Sequence, residues 1–336
     1  MKKRVLITGG AGFIGHHLVD HLLRTTDSHL TLIDRLDTSG NLNRLHEVMD
    51  VLPVNNRIKV IFHDLRAEIN GQLAAQLGEF DEIYHLAALT HVDRSIEDPM
   101  LAVQENVVAS CNLLNYARHV GCGKFLYFST DEVFGPAPEG VAYDENARYN
   151  SGNPYAAAKA GGEELAVAFA NTYKMPIMIT HTMNVIGERQ HPEKFVPMTI
   201  DKVNRGDVVT IHANASKTKA GSRFYIHARR VAEAVTFVME HGRFGEKYNV
   251  VGERELDNLQ LAQLIAASVG KPLFYEMVDF HSSRPGHDLR YALSGEKLKK
   301  MGYTHGATIE DDIASVVKWT LGNPHWLLNR ELRLVS

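Results

Sequence analysis

Ser129-Thr130-Asp131-Glu132-Val133-Phe134-Gly135 sets a hydroxyl and two carboxyls side by side where an apolar run, Phe125 to Phe128, ends. Downstream, Tyr155-Ala156-Ala157-Ala158-Lys159 puts a phenol four residues before an ammonium, the spacing that places both on one helix face. A free tyrosine titrates near pH ~10, and neighbouring positive charge lowers that value. The phenolate can then take a hydroxyl proton while a hydride leaves the same carbon.

The two carboxyls suit a different step. Oxidising a sugar at C4 makes its C5 proton acidic, because the carbanion becomes an enolate. Losing the C6 hydroxyl then needs a base for that proton and an acid for the departing water. Past a strand end the strict in–out alternation stops, so two adjacent carboxyls can turn into one pocket. A desolvated carboxyl has a raised pKa and can serve as the acid. A plainer use is open too: Thr130 and Asp131 can cap a following turn.

Such groups need a scaffold. Short apolar runs alternate with longer helical patterns, which predicts an α/β, Rossmann-type, doubly wound parallel sheet. The strands are expected at Arg4–Thr8, Leu30–Asp34, Ile58–Phe62, Glu82–Leu86, Lys124–Ser129 and Ile177–Met183. The helices are expected at Phe13–Leu23, Glu68–Leu77, Leu101–Val120 and Tyr155–Tyr173, the last preceded by Pro154. After Met183 the loops lengthen, and shorter helices are expected near Phe195–Arg205, Arg229–Glu240, Asn258–Val269 and Ile309–Leu321. The expected division is a cofactor-binding domain over residues 1–183 and a smaller substrate-binding α/β lobe over 184–336. The chain should return to the first domain over about 224–252.

The first strand runs into Thr8-Gly9-Gly10-Ala11-Gly12-Phe13-Ile14-Gly15, which satisfies both G-x-G-x-x-G and G-x-x-G-x-x-G. The glycines allow a tight turn, close approach of a pyrophosphate and close helix–strand packing. The phosphates then sit on the N-terminus of the Phe13 helix, where free N–H groups point at them. About twenty residues on, Asp34 ends the second strand, where a carboxylate bonds a ribose 2′-OH and repels a 2′-phosphate. This selects NAD over NADP, with the adjacent Arg35 as the one opposing feature. The oxidised nicotinamide is the positive charge, beside Lys159, that Tyr155 needs. Asp64, after the third strand, is either an adenine ligand or a loop carboxylate.

The remaining features mostly exclude. The 336 residues carry a net charge of -4, which gives no electrostatic case for nucleic acid. Cys111 and Cys122 form no metal or redox motif, and a cytoplasmic location is the expectation. Met1-Lys2-Lys3-Arg4 has the charge of a signal peptide, but Val5-Leu6-Ile7 is too short for its apolar stretch. No run approaches membrane-spanning length. His17 and His21 share a helix face without completing H-E-x-x-H, so no metal is expected.

Taken together, these motifs resemble the extended short-chain dehydrogenase/reductase superfamily and, within it, the nucleotide-sugar 4,6-dehydratases. The resemblance covers nearly the whole chain. It is carried by the Gly9–Gly15 turn, Gly40-Asn41-Leu42, His85-Leu86-Ala87-Ala88, His91 to Ile96, Ser129 to Gly135, Tyr155 to Lys159, His191 to Lys194 and Arg284 to Asp288. It implies that Tyr155, assisted by Thr130 and Lys159, is the base at the C4 hydroxyl. Asp131 is then the acid at the C6 oxygen and Glu132 the base at C5. It also implies that Gly9, Gly12, Phe13, Ile14, Gly15, Asp34, Asp64, Leu65, Leu86, Ala87, Ala88, Tyr155 and Lys159 hold NAD. Arg94, Asn184, Lys194, Phe195, Arg223, Asn249, Arg284 and His287 would hold the nucleotide-diphosphate sugar. Leu101–Val120 and Tyr155–Tyr173 match the helix pair that builds a four-helix homodimer interface.

The chain departs from the family where Leu89-Thr90 stands for Glu-Ser, Val185-Ile186 for Asn-Tyr and Glu188-Arg189 for Pro-Tyr. The base, the sugar and the product stay open on this ground. A UDP-N-acetylglucosamine 5,6-dehydratase removes the same water but returns the hydride to C4. Epimerases and decarboxylases of the superfamily usually lack the paired carboxyls. A non-catalytic NAD-sensing Rossmann protein would typically have lost Tyr155 or Lys159.

Overall fold

The structure, a computed structural model, describes residues 2–37, 39–50, 56–279 and 289–328. Apolar runs at β1 (Arg4–Thr8), β2 (His29–Asp34), β3 (Ile58–Phe62), β4 (Phe80–His85), β5 (Cys122–Thr130) and β6 (Ile177–Thr182) form six strands of one sheet. The seventh is Lys247–Val250, and the order across the sheet is Lys247–Val250, β6, β5, β4, β1, β2, β3. Every neighbouring pair is parallel. The order reverses between β1 and β4, and the strand C-termini there form the crevice where doubly wound folds bind ligands.

Alternation along β1 shows how both faces are covered. Val5 and Ile7 pack with Leu18 and Val19 of α1 (Phe13–Thr25) and with Val231 and Val235 of the Ala228–His241 helix. Leu6 joins the opposite core, with Leu113 and Leu114 of the Ala109–Val120 helix and Ala166 of the Pro154–Tyr173 helix.

The expected strands differ from the observed ones by no more than two residues at either end. The helix expected over Leu101–Val120 is divided. Pro99–Val103 and Ala109–Val120 are α-helical, and Gln104–Val108 between them is a π turn. Asn106 explains the widening: its amide brackets Leu89, accepting from Leu89 N at 2.8 Å and donating to Leu89 O at 3.2 Å. The helix expected from Glu68 begins at Gly71, because Asn70 caps it by accepting from Leu73 N. Helices at Leu42–Asp50 and Val92–Glu97 had no counterpart in the sequence reading.

Beyond Met183, Phe195–Arg205, Asn258–Val269 and Ile309–Gly322 enclose a further core built on Val196, Ile200, Leu261, Ile265, Ile313 and Val316. The pairing of Ile226–His227 with Val185–Ile186 precedes the return of the chain to the sheet edge at Lys247–Val250, which pairs with β6.

Candidate active site

β5 carries the apolar run into the core and ends at Thr130, after which the chain makes a 3-10 turn over Asp131–Phe134. Thr130 Oγ1 accepts from Glu132 N and donates to Asp131 Oδ1 at 3.0 Å. The capping use and the chemical use therefore coincide: the cap turns both carboxyls off the strand. Asp131 is only 4% exposed, and its Oδ2 has no hydrogen-bond partner among the described residues. Burial first, then the Glu132 carboxylate, push its pKa up to about 7, against the pull of Arg223 and Thr130. Such a carboxyl can hold a proton near neutral pH and give it away. Half-buried Glu132 accepts a hydrogen bond from Asn153 Nδ2 at 3.0 Å.

Asn153 does a second job. Its Oδ1 accepts from Ala156 N at 2.8 Å and caps the Pro154–Tyr173 helix, which starts with proline where a lost N–H costs nothing. The next residue, Tyr155, is buried, and its N–H donates to Ser95 Oγ at 3.0 Å. Burial and then Glu132 raise the phenol pKa, while a hydrogen bond with Thr130 opposes them. Lys159, one turn on, is buried, donates to Phe128 O at 2.6 Å and lies 4.7 Å from the Tyr127 ring centre. Burial pushes its pKa down to about 8, and Glu163 opposes this.

Glu163 occupies the next position on the same face. Its fully buried carboxylate accepts from Ser129 Oγ at 2.7 Å and pairs with His181 Nε2 at 3.1 Å and Lys247 Nζ at 2.9 Å. Asn153, Ser95 and Glu163 were not singled out from the sequence. The Asn-Pro pair before the helix marks the first, and the 155, 159, 163 spacing marks the last; Ser95 has no such local signal.

The glycine turn is built for close approach. Gly9 has φ +71°, and a Cβ there would lie 3.0 Å from the backbone of Ala87, next to Leu86 and Ala88 at the end of β4. A Cβ on Gly15 would lie 2.1 Å from Gly9 O. No side chain caps α1, so the N–H groups beginning at Phe13 and Ile14 face outward from Gly12. Asp34 accepts from Ala11 N at 3.0 Å and Leu36 N at 2.9 Å, and burial raises its pKa. Arg35 is turned to Glu105 at 2.8 Å, to Asp37 and to Asp64 at 3.9 Å. Its charge is thus spent on carboxylates rather than held for a 2′-phosphate. Asp64 is chelated by Arg66, and Leu65 beside it is buried. The open helix end, the bare glycines and the ribose-side carboxylate together fit a dinucleotide.

The expected substrate residues divide into three groups. Exposed Arg94 and half-buried Lys194 are close enough that both their charges lower the pKa of His91, after burial, to about 4. His91 and His191 face each other with rings 6.3 Å apart. Lys194 stands at the uncapped start of the Phe195–Arg205 helix, Phe195 leans on the adjoining core, and Asn184 is exposed. Arg223 donates to Leu289 O at 2.7 Å, covers the Tyr291 ring and acts on Asp131. Asn249 is the innermost of them. It is fully buried and its polar groups are spent on His181, Glu145, Tyr143 and Ser294, because it lies inside the strand that closes the sheet edge. Arg284 and His287 lie outside the described residues. His17 and His21 are engaged separately, with Glu188 O and with Thr236.

Comparison with known proteins agrees with this geometry. The GDP-mannose 4,6 dehydratase family matches residues 6–316. The chain belongs to this family. It is 35% identical to a dTDP-glucose 4,6-dehydratase of Streptomyces niveus over 331 residues, 96% of this chain and 94% of that one. Among solved structures, the Streptomyces venezuelae dTDP-glucose 4,6-dehydratase with NAD and TYD bound superposes with a TM-score of 0.86 at 34% identity, covering 96% of this chain and 98% of that one. A Thermus thermophilus UDP-glucose 4-epimerase in complex with NAD reaches 0.83 at 28% identity, covering 95% and 99%. The backbone is thus shared between dehydratases and epimerases.

Proposed function

We propose that this dehydratase-family enzyme converts a nucleotide-activated hexose, with dTDP-glucose first among the candidates and UDP-glucose second, into its 4-keto-6-deoxy derivative. The single observation that carries the reading is the Asp131–Glu132 pair turned off β5 beside Tyr155: one carboxyl buried and raised to about 7, the other half-buried and hydrogen-bonded. An epimerase has no use for that pair.

NAD, when bound, supplies hydride acceptance from C4 and its return to C6. Gly9, Gly12, Phe13, Ile14 and Gly15 hold its pyrophosphate and Asp34 its ribose, with Leu86 to Ala88 lining the opposite wall. Tyr155 takes the C4 hydroxyl proton, with Thr130 bonded to the phenol and Lys159 fixed behind it. Glu132 takes the C5 proton, and Asp131 protonates the C6 oxygen, which leaves as water. Arg94, Lys194 and Arg223 supply the positive charge that a diphosphate needs. The assignment of residues 1–183 with 224–252 to the cofactor, and of the rest to the nucleotide sugar, follows from this division of labour.

We assign the exposed apolar face of the Pro99–Val120 segment, with Met100 63% exposed and Val103 and Val108 each 40%, to a four-helix homodimer contact. Among the described residues no helix is long and apolar enough to cross a membrane, and the cytoplasm is the assigned compartment. The test is incubation with dTDP-glucose, UDP-glucose and UDP-N-acetylglucosamine, followed by product identification by mass and NMR. A 4-keto product with a C6 methyl group supports the reading; inversion at C4 without loss of water overturns it.

A further inference from the structure

Arg44, on the Leu42–Asp50 helix, is 4% exposed. Its Nη1 donates to Ala11 O at 3.2 Å, inside the glycine turn, and to Ser39 O at 2.7 Å, in the loop that follows Asp34. Its Nε donates to Arg189 O at 3.1 Å, across 145 residues. The backbone of Ala11 is consequently held on both sides: Asp34 takes its N–H, and Arg44 and Asn41 N donate to its carbonyl.

One turn further along the same helix face, Glu47 accepts from Arg189 Nε at 2.6 Å and from Trp326 Nε1 at 2.9 Å. The Trp326 ring lies 5.7 Å from the Arg44 guanidinium, and Arg189 covers the Trp319 ring at 4.6 Å. Three segments remote in sequence, namely the glycine turn, the 187–190 loop and the C-terminal helix with its extension, therefore meet the loop after Asp34 on Arg44 and Glu47.

A buried cation is costly unless something compensates it. The hydrogen bonds that Arg44 donates to Ala11, Ser39 and Arg189 go to neutral carbonyls, and the opposite charge that most supports its cationic form is Asp34. Burial lowers its pKa only to about 10, so it is charged at neutral pH. A dinucleotide pyrophosphate held on the same turn would bring further negative charge.

We propose that Arg44 is a positioning residue and counter-charge for the dinucleotide: it fixes the Ala11 peptide that shapes the phosphate turn, and through Glu47 it couples cofactor retention to the Trp319–Trp326 segment. This rests on the reading of the turn as an NAD site.

The test is titration calorimetry with NAD on the cofactor-stripped wild type and on Arg44→Met, Arg44→Lys and Glu47→Gln, with melting temperatures of the same stripped proteins. Arg44→Met should weaken NAD by about tenfold or more, because both the grip and the charge are lost. Arg44→Lys keeps the charge but not the fork, so it should recover part of the loss. Glu47→Gln should weaken NAD about threefold without touching the turn itself. If Arg44→Met does not fold, the other two variants decide. Affinities equal to wild type in the folded variants overturn the inference. So does an affinity loss that only follows the melting temperature, with no recovery in Arg44→Lys. A wild type that binds no NAD overturns the NAD reading itself, and this inference with it.

Discussion

Ser129 Oγ donates to Glu163 Oε2 at 2.7 Å, and this bond ties the strand that leads into Asp131 and Glu132 to the helix that carries Tyr155. The two halves of the chemistry are carried on separate elements, so their relative position depends on such links. Lys159 Nζ on Phe128 O, Tyr127 OH on Lys159 O and Asn153 Nδ2 on Glu132 are the others. Glu163 is the charged centre of the set; Lys247 compensates it and the His181 ring hydrogen-bonds to it.

Glu163→Gln removes the charge that pairs with Lys247 and accepts from the His181 ring. Breaking one side of a buried ion pair typically costs about 3 kcal/mol. The melting temperature should fall, and kcat should fall with little change in KM, because the substrate is not touched. An unchanged kcat in a protein with a lowered melting temperature would reduce Glu163 to a purely structural role.

Tyr155→Phe removes the phenol that hydrogen-bonds with Thr130. Turnover should drop by roughly 10²–10⁴-fold. The ring stays, so the melting temperature should barely move. Steady-state kinetics and a melting curve on one preparation check both halves. Near-normal turnover would remove Tyr155 from the base role.

Asp131 predicts a pH dependence of stability. Its folded pKa, about 7, lies above its ordinary value of 3.8, so between these values the folded protein binds more protons than the unfolded chain. The Asp131 contribution to stability is therefore fully present below about pH 4 and is lost as the pH rises toward 7. Asp131→Asn should remove this loss, so the variant should gain melting temperature over the wild type at pH 8 and little at pH 4. In the wild type, the water-elimination step should weaken above about pH 7, where the acid has lost its proton. Melting curves across this range that run parallel in the two proteins would contradict the assignment.

The cofactor choice is also testable. Asp34 stands at the ribose side of the turn, and Arg35 is held by Glu105, Asp37 and Asp64. The dinucleotide released on denaturing the purified protein should be NAD. A predominance of NADP would show that Arg35 leaves its carboxylates to meet a 2′-phosphate.

The strands were legible because buried parallel strands are short apolar runs with turn residues at their ends, as Val5-Leu6-Ile7 before Thr8-Gly9 shows. The glycine turn and Asp34 were legible because each has a fixed spacing with a mechanical reason. What escaped depends on tertiary pairing. The π turn at Gln104–Val108 exists because Asn106 holds Leu89, seventeen residues away, and periodicity carries no trace of that bond. Asn249 lies in the closing strand among four polar partners that its local sequence does not announce. Arg35 looked ambiguous until its three carboxylates were in place. Arg44 has no local signature, since the carbonyls it holds come from three separate segments.

The most direct test of the central claim is exchange at C5. With dTDP-glucose in deuterated water, the wild type should give a product with a C6 methyl group and deuterium at C5, read by NMR. Glu132→Gln keeps the shape of the side chain but cannot accept the C5 proton, so incorporation at C5 should slow by at least about 10²-fold. Asp131→Asn should keep C5 exchange while losing elimination. If Glu132→Gln exchanges C5 at the wild-type rate, the paired carboxyls do not perform the elimination, and the dehydratase reading of this site is contradicted.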